Sequence, residues 1–160
     1  MKQRAAEPQA SLEFLRCLWA LNHALERMSM RMEREHGVTA QQRFLLRLVG
    51  ATPGISGRAL AEQLHIDAGT LSASLKRLEE RKLLKRKRDP NDARRIQLTL
   101  TTRGEAVIAL DTGTVESVVA AVLGQRSPIA LSEALSVIGA LSEGLEAAAV
   151  AEIALPRTSG

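Results

Sequence analysis

The fold is decided by residues 67–106, which read DAGTLSASLKRLEERKLLKRKRDPNDARRIQLTLTTRGEA. In the first half, leucines recur at spacings of three and four residues, which places them on one face of a helix. In the second half the period becomes two, because apolar and polar residues alternate from Ile96 to Leu100 after a Pro-Asn-Asp turn. The stretch therefore predicts a helix over 68–82 followed by a β-hairpin with one buried face.

Two further helices are predicted just upstream. Thr39 opens a capping box and a helix whose inward residues would be Phe44, Leu45, Leu48 and Val49. After the Pro-Gly break, Ser56 is placed to cap a short helix, and Asp67 caps the helix that follows it. Two short helices joined by a tight turn and followed by a basic hairpin predict a winged helix-turn-helix.

Longer helices flank this lobe in the sequence. Residues 11–35 carry two apolar stripes and end at Gly37, which can adopt a left-handed conformation. Beyond the hairpin, one helix is predicted to run from a capping box at 102–105 to about Gln125, and a last one from Pro128 to about Ala151. The prediction is one mainly α domain over 1–160 with a small β-hairpin wing. Residues 11–36 and 103–151 would form dimerisation helices around a DNA-binding lobe at 39–101.

Positive charge is concentrated in one short stretch of the chain. Residues 76–95 contain 10 of the 22 lysines and arginines against four acidic residues, a local net charge of +6. The rest of the chain carries a net charge of −2. Charge segregated in this way is typical of a surface that binds a polyanion.

Composition narrows the class of protein further. The chain has one cysteine and no long uncharged apolar run, which favours a soluble cytoplasmic protein without disulfides or a membrane partner. His23, His36 and His65 are dispersed, so neither a metal site nor a cofactor is expected. The sequence contains no nucleophile-elbow, phosphate-loop or metalloprotease motif, so an enzyme is not expected.

The predicted helix at 68–82 has the surface that entry into a DNA major groove requires. Its outward residues are small or hydroxylic near the N-terminus, where they can approach base edges, and basic further along, where phosphates flank the groove. Ser56 and Arg58 of the preceding helix are assigned to the same surface. The residues predicted on the helix itself are Asp67, Ala68, Gly69, Thr70, Ser72, Ala73, Ser74, Lys76, Arg77 and Arg81.

The stretch quoted above resembles the recognition helix and wing of the multiple-antibiotic-resistance regulator (MarR) family. The segments RLEERKLLKR and DPNDARR…LTLTTRG carry the resemblance, and the flanking helices fit in order and length. Lys82 departs from the family pattern, which often has glycine at the end of this helix. The resemblance implies a homodimeric regulator that binds a pseudo-palindromic duplex with half-sites about 10 bp apart.

The same resemblance implies roles for residues of the wing. Arg94 matches a wing-tip arginine that enters the minor groove, and Asp92 matches an acidic residue that braces it through an ion pair. Arg86, Arg88 and Arg95 are expected to contact phosphates.

Members of this family often bind small aromatic acids or phenols between the dimerisation helices and the DNA-binding lobe. Candidate residues for such an effector site come from the first two helices, where an indole could stack on a ring and a guanidinium could hold a carboxylate. For each of them a place in the core, in an interface or on a charged surface is the alternative. The candidates are Trp19, His23, Arg27, Met28, Arg43 and Arg47.

Three functions compete with that of a ligand-released repressor. The first is thiol sensing, because one branch of the family senses organic hydroperoxides through a cysteine in the first helix, and Cys17 could serve in that way. That branch holds its cysteine with tyrosines, which this sequence lacks, so a buried, inert Cys17 is the favoured interpretation. The second is low-specificity, architectural binding of DNA. The third is a protein-interaction module that no longer binds DNA.

Overall fold

The computed structural model describes residues 3–64, 66–88 and 96–153. In chain order the elements are α1 (Gln3–His36), α2 (Ala40–Ala51), α3 (Gly57–Leu64), α4 (Ala68–Glu80), β1 (Leu84–Arg88), β2 (Ile96–Leu100), α5 (Thr102–Ile108), α6 (Val115–Leu123) and α7 (Pro128–Ile153). The chain forms two compact units, Met1–Ser117 and Val118–Gly160. The mainly α winged-helix architecture predicted from the sequence is confirmed.

Most helix starts follow the predicted capping residues, but α5 is capped by Thr101 rather than by the predicted Thr102, since the Thr101 hydroxyl accepts from Gly104 N. Thr39 accepts a hydrogen bond from the backbone of Gln42, whose side chain returns one to the Thr39 N–H, so the capping box is complete. Ser56 and Ser127 cap α3 and α7 by accepting from the third residue along. Gly37 ends α1 with φ +73°, in the left-handed region that glycine adopts without steric cost.

The single helix predicted from 103 to about 125 is wrong, because the structure has two helices there. α5 ends at Ile108 and α6 begins at Val115. Gly113 in the connection has φ +68°, and Thr114 starts α6 by accepting a hydrogen bond from Ser117 N at 3.2 Å. A left-handed residue followed by a capping threonine interrupts the α-helical hydrogen bonds even though the apolar pattern continues on both sides.

The core of the first unit lies beneath α2, α3, α4 and the hairpin. It is built almost entirely from leucine and valine, including Leu45, Val49, Leu60, Leu71, Leu75, Leu78, Leu84 and Leu98. Phe44, predicted to face inward, is 46% exposed, whereas its neighbour Leu46 is fully buried. The predicted Leu45 and Val49 are buried, so the inward face of α2 includes part of the predicted stripe, with Leu46 in place of Phe44.

The hairpin is extended by a third segment that the sequence did not reveal. β1 and β2 pair antiparallel from Leu84↔Leu100 to Arg88↔Ile96. Residues 54–56 add to the other edge of β2, since Leu98 N donates to the Ile55 carbonyl at 2.9 Å and Ser56 bridges Gln97. Leu98 is buried as predicted, but Ile96 is 45% exposed, so the buried face covers only the base of the hairpin.

The junction between the hairpin and α5 is tightly packed. A Cβ on Gly104 would lie 2.0 Å from the Leu83 carbonyl oxygen, so only glycine fits at this close approach. Thr101 caps α5 by accepting from Gly104 N at 3.1 Å. Its hydroxyl also donates to the Lys82 carbonyl at 2.7 Å. Lys82 itself has φ +59°, so it occupies the left-handed position at which the resembling family often has glycine.

Large apolar side chains remain exposed on α1 and in the second unit. On α1, Leu12 and Trp19 are 63% and 69% exposed. On α7, Ile129 and Leu145 are 71% and 69% exposed. Over Pro128–Val150 the helix is long and apolar enough to cross a membrane, by length and composition alone. The stretch contains Glu133, Glu143 and Glu146, so it is not a long uncharged apolar run of the kind whose absence was expected, and one such helix is weak evidence for a membrane span.

Candidate nucleic-acid interface

Helix α4 is held against the lobe by one face and is free on the other. Leu71, Leu75 and Leu78 are at most 3% exposed and anchor the helix in the core. The opposite face is small, hydroxylic and basic, as predicted from the sequence. Its exposed residues are Ala68, Gly69, Thr70, Ser72, Ala73, Lys76 and Arg77, and Ser74 is half-buried beside them.

The first turn of α4 is fixed by a carboxylate. Asp67 Oδ1 accepts from Thr70 N at 2.8 Å, and the Thr70 hydroxyl donates to Asp67 Oδ2. The hydrogen bonds from the Thr70 side chain and backbone lower the pKa of Asp67, so the carboxylate stays ionised at neutral pH. Because its proton is used within this cap, the Thr70 hydroxyl presents an acceptor rather than a donor to an approaching ligand.

Among the described residues, some of the predicted phosphate-binding side chains already form ion pairs with acidic side chains of the chain, and others do not. Arg58 is paired with Glu62 at 2.9 Å on the exposed face of α3, and Lys76 lies 4.0 Å from Glu80. Exposed pairs of this kind are weak and can exchange for phosphate. Arg77 is exposed and forms no ion pair with any residue that the structure describes.

Strand β1 of the wing carries four further basic residues. Lys85, Lys87 and Arg88 are exposed along β1, whereas Arg86 is half-buried with its Nε 3.0 Å from Glu79 Oε2. Arg86 therefore joins the wing to the end of α4, a role that the sequence did not reveal. The predicted wing-tip residues Asp92, Arg94 and Arg95 lie outside the described residues.

Arg81, predicted among the residues that flank phosphates, points toward the end of α1 instead. Its Nη1 donates to the Gly37 carbonyl at 2.7 Å and to Gln42 Oε1 at 3.3 Å. Its Nη2 lies 3.6 Å from Glu33 Oε1. These contacts link the C-terminus of α4 to the corner between α1 and α2.

The six candidate effector residues do not converge on one pocket in the described part of the chain. Trp19, His23 and Arg27 are exposed and follow one another at four-residue spacing along α1. Met28 is half-buried, and Arg47 is exposed on α2.

Arg43, the sixth candidate, is fully buried and its guanidinium is already engaged. Its Nε and Nη2 donate to the carbonyls of Val107, Ile108 and Leu110. Its Nη1 lies 2.6 Å from Glu116 Oε1 as an ion pair without hydrogen-bond alignment. Arg43 therefore holds the end of α5 and the start of α6 against α2, and it has no group left for an effector carboxylate.

Cys17 is exposed, so the expectation of a buried thiol is wrong for this chain on its own. It lies in an open groove along α1 beside Phe14, Arg16 and Trp19. Within the residues that the structure describes, no group of three or more histidine, cysteine or acidic side chains is placed to hold a metal ion.

Known proteins with similar sequences are transcriptional regulators. Residues 36–95 match the MarR family. The regulator TtmR of Methylorubrum extorquens is 30% identical over 109 residues, which cover 67% of this chain and 56% of that protein. An organic hydroperoxide resistance transcriptional regulator of Bacillus subtilis is 36% identical over 67 residues, 42% of this chain and 46% of that protein. The chain thus spans about half the length of the curated relatives it matches.

The fold is shared with solved regulator structures. The Staphylococcus aureus MepR–DNA complex superposes with a TM-score of 0.66 at 20% identity, over 81% of this chain and 94% of that one. This likeness concerns the fold alone. The sequence match over residues 36–95, together with the 30% identity to TtmR, identifies this chain as a member of the MarR family.

Proposed function

We propose that the chain is a homodimeric transcription regulator that binds double-stranded DNA at a pseudo-palindromic operator. The observation that carries the proposal is the exposed face of α4, which is small and hydroxylic at its N-terminal end and basic at Arg77. The basic strand β1 lies beside α4, so a duplex that receives the helix in its major groove would also meet the wing.

The test is selection of duplexes from a random-sequence pool by the purified protein. We expect enrichment of a palindrome whose half-sites are centred about one helical turn, roughly 10 bp, apart. Ser72→Ala should relax the sequence preference, while Arg77→Ala should weaken all duplexes alike and reduce the salt slope by about one. A steep salt slope with no enriched sequence would support low-specificity, architectural binding instead.

The wing is tested separately because its tip was assigned by resemblance. Arg94→Ala should weaken binding of the selected palindrome, and Asp92→Ala should do so to a smaller extent because the arginine loses its brace. Arg95→Ala and Arg88→Ala should act on all duplexes alike, as phosphate contacts do. Unchanged affinity of the Arg94→Ala variant would remove the wing from the mechanism.

We propose further that a small aromatic acid or phenol releases the operator by binding beside α1 and α2. Trp19 is the sole tryptophan, so its fluorescence reports directly on a ligand near this helix. Titration with benzoate-like acids should quench that fluorescence and lower operator affinity, and Arg47→Ala or Arg27→Ala should weaken the response. Quenching without loss of operator affinity would contradict an effector role for the site.

A second mode of release is favoured by the exposure of Cys17. A thiol in an open groove is accessible to oxidants, and Arg16 is its neighbour in sequence. Alkylation of Cys17 should then release the operator, and Cys17→Ser should abolish the effect. If the alkylated protein binds the operator normally, thiol sensing is ruled out for this chain.

A further inference from the structure

We propose that Arg81 is a positioning residue of the recognition helix, which aligns α4 on the lobe through the α1–α2 corner and does not contact DNA. The inference rests on the proposed DNA-binding function. Arg81 lies at the end of α4 and is positively charged, and the sequence therefore predicted that it flanks a phosphate.

The side chain of Arg81 makes three contacts, and all of them lie in one direction. Its guanidinium reaches the Gly37 carbonyl, the Gln42 side chain and the Glu33 carboxylate, all of which belong to the α1–α2 corner. A carbonyl at the end of a helix is a poorly satisfied acceptor, and a hydrogen bond to it from a cation is stronger than one between neutral groups. The Arg81 side chain is 43% exposed, but its guanidinium is directed to the α1–α2 corner by three contacts, whereas Arg58 and Lys76 each have one.

The residues that the Arg81 side chain contacts are those that end α1 and start α2. Gln42 Oε1 also accepts from Thr39 N and closes the capping box of α2, so Arg81 shares an acceptor with the residue that starts α2. Gly37 ends α1 in a left-handed conformation with its N–H bonded to the Glu33 carbonyl at 3.0 Å. One side chain thus joins the last turn of α1, the first turn of α2 and the end of α4.

The backbone of Arg81 is also held by hydrogen bonds at the end of α4. Arg81 N donates to the Arg77 carbonyl, and Lys82 follows in the left-handed conformation that ends the helix. The Arg81 carbonyl accepts from Arg103 of α5 at 3.4 Å. Backbone and side chain of this residue are therefore both tied to other elements, and a change at the α1–α2 corner would be transmitted to the angle of α4.

The salt dependence of DNA binding separates this role from a phosphate contact. Each phosphate contact that is removed lowers the slope of log affinity against log salt by about 0.9. We expect Arg81→Ala to weaken binding of the selected palindrome about fivefold with the slope unchanged, since the two hydrogen bonds and the ion pair that are lost all lie away from the DNA. Arg77→Ala, on the exposed face one turn earlier, is the matched control and should lower the slope.

Hydrogen exchange in the free protein provides a readout that needs no DNA. Arg81→Ala should speed amide exchange at residues 37–42, although these lie far from Arg81 in the sequence, whereas Arg77→Ala should leave it unchanged. Glu33→Gln and Gln42→Ala should each reproduce part of the effect, and combining either with Arg81→Ala should add less than the sum of the single effects.

Failure of the positioning role of Arg81 and failure of DNA binding by the chain would give different results. A reduced salt slope or unaltered exchange at 37–42 in Arg81→Ala would overturn the positioning role. Affinity equal to that of the unsubstituted protein would overturn it as well. Failure of the unsubstituted chain to select any duplex would overturn the DNA-binding proposal, and the exchange measurement would still decide whether Arg81 holds the corner.

Discussion

At the scale of single residues, the contact between Gly104 and the Leu83 carbonyl leaves no room for a side chain. The ideal Cβ position lies 2.0 Å from that oxygen, and the carbonyl also accepts the backbone N–H of Thr101 at 3.1 Å, so it cannot move without breaking another bond. This glycine is therefore required by packing rather than by its backbone angles.

We predict that Gly104→Ala destabilises the fold by about 3 kcal/mol or more, because the wing and α5 must separate to admit the methyl group. Urea denaturation followed by circular dichroism measures the change. Gly57→Ala is the control: its added Cβ would meet only Leu75 Cδ1 at 3.8 Å, an ordinary contact, and the stability should shift by less than about 1 kcal/mol. Equal stability of the two variants would contradict the packing argument.

The Asp67 cap gives stability a defined pH dependence. Its pKa is lowered in the folded state, first by the hydrogen bond from the Thr70 side chain, so its contribution is present above the unfolded pKa and is lost as pH falls through the folded pKa. The melting temperature of the unsubstituted protein should exceed that of Asp67→Asn at pH 7, and the gap should close below a pH of about 4. A gap that is constant with pH would show that the carboxylate charge contributes nothing.

At the scale of elements, capping residues and the spacing of apolar residues predicted most of the helices and their ends. Caps such as Thr39, Ser56 and Asp67 act over three residues, so the sequence contains all the information that they need. The break between α5 and α6 was missed because apolar residues continue on both sides of it and only the short Asp-Thr-Gly-Thr segment marks it. Gly113, lying between two threonines, is the signal that could have indicated it.

The burial of Arg43 and the contacts of Arg81 could not be predicted from local sequence. The acceptors of Arg43 lie 64 to 67 positions away, and those of Arg81 lie 39 and 44 positions away. An arginine in a helix is usually solvated, so its burial becomes visible only when the fold has brought its acceptors together. The exposed face of α4, in contrast, follows from the helical period alone and was predicted correctly.

We predict that Arg43 stabilises the α5–α6 connection mainly through its bonds to carbonyls. Arg43→Ala should cost about 3–5 kcal/mol, as expected when one partner of a buried ion pair is removed. If the ion pair with Glu116 were the main term, replacing both residues with apolar ones, as in Arg43→Met with Glu116→Leu, should recover most of that loss. We expect little recovery in thermal denaturation, since the carbonyls of Val107, Ile108 and Leu110 would still be unsatisfied.

At the scale of the whole molecule, the exposed apolar side chains of α1 and of the second unit support the proposed dimer. Monomers seldom expose apolar patches of this extent, and the proposed palindromic operator calls for a two-fold axis in the protein. We therefore expect a dimer in sedimentation experiments at micromolar concentration. Leu135→Glu, at a position 62% exposed in the single chain, should shift the protein toward monomer.

Glu133→Gln on the same helix is the control, because it changes a charge without removing apolar surface. An unsubstituted chain that sediments as a monomer would contradict the proposed assembly. Partition of the protein into detergent or vesicles would instead favour a membrane role for α7, whose length and hydropathy also permit one.

The bridge between Ser56 and Gln97 has a consequence for the kinetics of association. Because residues 54–56 are hydrogen-bonded to β2, the segment that leads into α3 is joined to the base of the wing within the chain itself. A DNA-binding surface that is already formed loses little conformational entropy when it binds. The rate of association with the duplex should then be set by long-range attraction between the basic lobe and the DNA. Complex formation would then be fast and strongly dependent on ionic strength, and discrimination among sequences would appear in how long each complex lasts.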